Sequence, residues 1–103
     1  MNLSNNCILR LIFNSNLYDE VTDALLGFPE RELSFLSVEV QSHSSATAHN
    51  AQSITEQVSG FKVMRMIEVT TDAEEAKRLN QHLMEQLPQA SIQAQLLPLL
   101  TLC

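Results

Sequence analysis

"FKVMRMIEVTTDAEEAKRLNQHLMEQLP", residues 61–88, holds two patterns back to back, and reading them decides the fold. The first part alternates. Phe61, Val63, Arg65, Ile67 and Val69 fall on one side of an extended chain, and Lys62, Met64, Met66 and Glu68 on the other. Successive side chains of a strand point to opposite faces, so this is a strand with apolar residues on both. The period then changes. Ala76, Leu79, Leu83 and Leu87 recur every three or four residues, the stripe of an amphipathic helix. Thr71 or Asp72 is placed to cap that helix, Glu74 or Glu75 to complete a capping box, and Pro88 to stop it.

Working outward, "SIQAQLLPLL" follows the helix and reads as a last strand. Ile92, Ala94 and Leu96 alternate there with Ser91, Gln93 and Gln95, and Pro98 limits further pairing. Upstream, "LSFLSVEV" is another strand, with Leu36, Val38 and Val40 alternating with Ser37 and Glu39. At the start of the chain "CILRLIF", residues 7–13, is a strand with Cys7, Leu9, Leu11 and Phe13 on one face and Ile8, Arg10 and Ile12 on the other. "NSN" breaks it. Asn16 suits a helix N-cap, and Asp19 and Glu20 suit the positive end of the helix dipole. Leu17, Val21, Ala24, Leu25 and Phe28 form the stripe of this helix, which Gly27 and Pro29 end.

The order is β-α-β-β-α-β within 103 residues, a single domain over 1–103 by length. Two split βαβ units of this kind give an α+β, ferredoxin-like fold: a four-stranded antiparallel sheet with both helices on one face. The other sheet face then has no helix to cover it. A sheet wetted on one side should alternate cleanly, yet the first and third strands carry Ile8, Ile12, Met64 and Met66 on the second face. Another subunit is the expected cover.

Composition narrows the partners. The net charge is −6 with no basic stripe, so a phosphate backbone is repelled and nucleic acid is not expected. The apolar run at the start is too short for a signal peptide, and no segment approaches the roughly 18 apolar residues of a membrane span. A cytoplasmic protein is expected, with Cys7 and Cys103 as free thiols.

The segment "CILRLIFNSNLYDEVTDAL" resembles the opening of the PII signal-transduction family, through Leu17, Asp19, Glu20, Val21, Ala24 and Leu25. On that likeness "LSFLSVEVQSH" and the loop after it stand where the family has its second strand and signalling loop, and "EQVSGFKVMRMIEV" is its third strand. The chain is more similar still to a small PII-like family of unknown function often associated with heavy-metal efflux systems. Glu56, Gln57, Val58 and Gly60 carry that resemblance, although Phe61 and Lys62 follow the glycine where the family pattern has basic residues. The resemblance implies a non-enzymatic sensor or regulator: a homotrimer with a small ligand bound between subunits. The glycine-rich phosphate loop of nucleotide-binding PII proteins has no match, since Gly27 and Gly60 are the only glycines. The sole tyrosine, Tyr18, lies in the first helix rather than in the loop, where some PII proteins are modified.

The loop itself, residues 42–55, lacks any hydrophobic period. Ser42, His43, Ser44, Ser45, His49 and Asn50 are its candidate contacts with a protein partner. His43 and His49 are also candidate ligands for a divalent transition metal, because neutral imidazole suits Zn, Cu, Ni and Co. Their spacing of six is no standard finger spacing; a third ligand would come from Glu39, Glu56 or a neighbouring subunit. Such a site would make the chain a metal-binding accessory protein of an efflux system. A purely structural trimeric module is the remaining reading. No nucleophile has an evident base: there is no G-x-S-x-G elbow, His82 reads as a solvated residue, and Glu74, Glu75 and Glu85 read as cap and soluble face.

Overall fold

A computed structural model of the chain describes residues 7–44 and 61–102. Strand β1 (Cys7–Asn14) leads through a 3-10 turn (Ser15–Leu17) into helix α1 (Tyr18–Leu26). Strands β2 (Phe35–His43) and β3 (Phe61–Thr71), helix α2 (Ala73–Gln86) and strand β4 (Ile92–Pro98) complete the described elements. The sheet has the order β2-β3-β1-β4 and every pairing in it is antiparallel. This is the ferredoxin-like arrangement that the element order implies.

The core lies between the two central strands and the helices. Leu9, Leu11 and Phe13 of β1 and Ile67 and Val69 of β3 meet Val21, Ala24 and Leu25 of α1 and Ala76, Leu79 and Leu83 of α2. Phe28 and Leu33, in the connection after α1, close one end. Helix and strand periods converge on this one layer, which is why the two stripes read from the sequence are the buried ones.

Local chemistry at the helix starts differs from the sequence reading in two places. Strand β1 runs on to Asn14, and it is Asn14, not Asn16, whose side chain accepts an N–H at the start of the 3-10 turn. α1 then starts at Tyr18 without a side-chain cap of its own. At α2, Asp72 is the cap, accepting the Glu75 backbone N–H at 2.8 Å. The capping box is left half made, because the Glu75 carboxylate is used elsewhere.

That carboxylate is buried and accepts from Arg31 Nε at 2.8 Å, from Arg31 Nη2 at 2.6 Å and from the Thr71 hydroxyl at 2.7 Å. Arg31 also donates to the Thr70 carbonyl. Nearby Arg78 grips Glu30 through its Nε. The α1–β2 connection is thereby tied to the start of α2. The Arg31 hydrogen bond holds the Glu75 carboxyl below its ordinary range against the opposing effect of burial, with Thr71 and Arg78 assisting. A lowered folded pKa stabilises at pH values above the unfolded one, about 4.3, and that stability is lost as pH falls through the folded value. Urea midpoints taken from pH 7 to 3 should therefore fall more steeply for the parent than for Glu75→Gln. At pH 7 the variant should be about 1–3 kcal/mol less stable. Parallel acid slopes would contradict the assignment.

His82 is also placed differently from the sequence reading. It is half-buried, its Nε2 donates to the Ala24 carbonyl at 2.8 Å, and its ring meets Phe28 edge-on at 5.6 Å. It closes an unpaired carbonyl in the last turn of α1. A helix-packing role of this sort leaves no trace in sequence spacing.

Candidate functional site

The sheet register settles which residues share each face, since directly opposed residues of antiparallel strands point the same way. Phe35 stands opposite Val69 and packs against the core, so Ser37, Glu39, Gln41 and His43 also belong to the helix-side face of β2. Leu36, Val38 and Val40 consequently point to the open face. There they form rungs with β3, β1 and β4: Leu36–Glu68–Arg10–Gln95 and Val38–Met66–Ile12–Gln93. Val40–Met64–Asn14 follows at one end, and Thr70–Ile8–Leu97 at the other.

The open face is an apolar surface with a charge pair at its centre. Leu36 is 76% and Val38 47% exposed, while Ile8, Ile12, Val40, Met64, Met66 and Leu97 are half-buried. Arg10 Nε donates to Glu68 Oε2 at 2.8 Å across the β1–β3 pair. A hollow of about 270 Å³ lies at the edge of this face, between Ile8, Leu36, Glu68 and Thr70.

The β2–β3 hairpin outruns its neighbour. β1 ends its pairing at Asn14 opposite Met64, whereas β2 and β3 remain paired out to His43 and Phe61. Ser42 and His43, assigned to the loop by the sequence reading, are thus strand residues, and Ser44 follows the strand end. Ser45, His49, Asn50 and Glu56 lie outside the described residues. The His43 imidazole is exposed, tilted against Phe61 with ring centroids 5.3 Å apart. Glu39 shares its face, but it lies four positions back along the strand, roughly 13 Å away. No group of three metal-ligating side chains forms among the described residues.

On the helix side of the hairpin base, the Arg65 guanidinium carbon lies 4.4 Å from the centre of the Tyr18 ring. The Ser37 hydroxyl is 3.4 Å from the Tyr18 hydroxyl. Glu39 stands directly opposite Arg65, with Oε2 3.9 Å from Nη2. Alternation in the sequence places Arg65 on this face but assigns it no partner; the stacking depends on where α1 begins.

Two other places hold less chemistry. A groove of about 500 Å³ between α2 and β4 is lined by Met84, Leu87, Ile92 and Ala94, with no charged side chain. At the β3–α2 turn a single residue, Asp72, joins strand to helix, and its carboxylate holds the helix N-terminus. Glu74 and Glu75 add negative charge to the same turn, so this end of α2 repels phosphate rather than cradling it.

The comparisons with known proteins bear on this geometry. Residues 3–102 match the model of a family described as "Protein of unknown function (DUF3240)". The chain belongs to that family. No curated protein is similar enough to count as a relative. Among solved structures, a DUF3240 family protein from Shewanella baltica OS155 is similar over 98% of this chain and 94% of its own, at 16% identity and a TM-score of 0.69. PII of Arabidopsis thaliana, bound to citrate, matches over 90% of this chain and 76% of its own, at 12% identity and a TM-score of 0.60. CPII of Thiomonas intermedia K12, a nitrogen regulatory PII-like protein bound to ADP, AMP and bicarbonate, covers 94% of both chains at 14% identity and a TM-score of 0.54. At these identities the likeness is one of fold, and the fold of this DUF3240 chain is PII-like. None of its helices among the described residues is long and apolar enough to cross a membrane.

Proposed function

We propose that this DUF3240 protein is a PII-like, non-enzymatic regulator. It works as a cytoplasmic homotrimer, holds a small ligand between subunits and touches a protein partner through residues 42–55. The observation that carries this is the open sheet face. Apolar side chains from all four strands lie around a charge pair that already neutralises itself. Covering that face with other copies removes apolar surface from water and buries Arg10 and Glu68 as a pair rather than as lone charges, which lowers the desolvation cost. The hairpin supports the second half of the reading: β2 and β3 stay paired to His43 and Phe61, past the end of β1. The PII-like proteins of Arabidopsis and Thiomonas, which share the fold, hold citrate and ADP, AMP and bicarbonate respectively.

Light scattering at micromolar concentration should give three chain masses; a monomer would overturn the reading. A thermal-shift panel of nucleotides and small metabolites should include at least one that raises Tm, by mass action on the folded state. If none did, the protein would be a structural trimeric module.

A second reading, a divalent-metal accessory protein of a heavy-metal efflux system, is favoured by the exposed imidazole of His43 at the hairpin end. It predicts a rise in Tm with Zn, Cu, Ni or Co that disappears in the His43→Ala/His49→Ala double variant. The absence of any response to these metals would remove it.

A further inference from the structure

We infer that Arg65, held on the ring of Tyr18, is the anchor of a binding site for a small carboxylate on the helix side of the hairpin base. The site is built by a single chain, so it does not depend on trimer formation. The arginines of the chain fall into two kinds. Arg10, Arg31 and Arg78 each donate to a carboxylate at 2.9 Å or less. Arg65 does not. Its nearest carboxylate oxygen, on Glu39, is 3.9 Å away, beyond hydrogen-bond reach, and its Nε is buried with no partner.

A guanidinium carries five donors in a planar fork, and leaving buried donors unused is costly. What holds Arg65 in place is the Tyr18 ring beneath it at 4.4 Å, a cation–π contact that fixes the plane without using an N–H donor. The side chain is 30% exposed, so solvent reaches it. Two hydroxyls lie on the same face, those of Ser37 and of Tyr18 itself, 3.4 Å apart and able to donate or accept. Glu39, 61% exposed, is free to swing away.

The charge balance selects the ligand class. A planar carboxylate matches the fork of a guanidinium. Phosphate carries more negative charge than a monocarboxylate and is repelled more strongly by Glu39 and by a chain of net charge −6. On this face the site sits two rungs inward from His43–Phe61, the last pair before the loop.

The test is an NMR titration of the full chain with acetate, succinate and inorganic phosphate at constant ionic strength, following the Arg65 Nε–Hε signal. Acetate and succinate should shift that signal together with the Ser37 amide. Arg65→Met should weaken the binding about 10- to 100-fold. Glu39→Gln, at an exposed position that folding does not need, should tighten it about threefold or more. Three results would overturn the site: no shift with either carboxylate, Ser37 amide shifts that persist unchanged in Arg65→Met, or weaker binding in Glu39→Gln. Phosphate binding tighter than acetate would overturn the ligand class. A trimer that fails to take carboxylate at Arg65, and a monomer that takes it, separate this inference from the assembly reading.

Discussion

The Val38→Glu/Met66→Glu double variant is expected to run in light scattering at one chain mass where the parent runs at three, with its circular dichroism unchanged. The two side chains are directly opposed on β2 and β3 and lie on the open face, away from the core. Introducing two carboxylates there costs little in a free monomer, because both reach water. In an assembly that covers the face, each becomes a desolvated charge costing several kcal/mol, and neighbouring like charges add to that. Met84→Glu is the control. Met84 is 64% exposed on α2, in the other layer, and its replacement should leave the trimer intact. If Met84→Glu dissociated the protein and the double variant did not, the interface would lie on the helices and the reading would fall.

The largest loss of stability is expected at Phe13. It is the bulkiest of the fully buried side chains, on the helix side of β1 between Arg65 and Ile92 of the flanking strands. Phe13→Ala removes its packing and leaves a cavity, at about 3–5 kcal/mol. A domain has only about 5–15 kcal/mol to lose, and Tm should fall by more than about 10 °C. Association would blur the result, so the urea midpoint is best compared in the Val38→Glu/Met66→Glu background. Leu26→Ala, at a 65% exposed position of α1, should change stability by less than about 0.5 kcal/mol. Equal effects at the two positions would mean that the core has been placed wrongly.

Much of the fold is legible in local sequence. The alternation in β1 and β3 and the stripes of both helices are local patterns, and each buried apolar residue of α2 is identified by its spacing alone. The charge pair Arg31–Glu75 is not legible, because its members are 44 residues apart and meet only when the α1–β2 connection packs against α2. Glu75 reads as a cap residue for the same reason: local sequence shows the helix N-terminus but not the arginine that folds over it. His82 is hidden in the same way, since its partner is a backbone carbonyl of the other helix. Of the loop residues, Ser42 and His43 are misread because β-pairing with Lys62 and Phe61 continues where side-chain alternation has already faded.

The sequence by itself determined that this chain is a ferredoxin-like, PII-like sheet with two helices and an under-covered second face. Hydrophobic period is a local property, and the order of elements leaves few topologies. Only the tertiary structure decided where β2 turns its apolar side. Alternation says that Leu36, Val38 and Val40 share a face but not which one. The choice is made by register, when Phe35 seats opposite Val69 against the core. That one docking sends three apolar residues outward to the proposed trimer face. It also leaves Ser37 and Glu39 beside Arg65, where the carboxylate site is inferred.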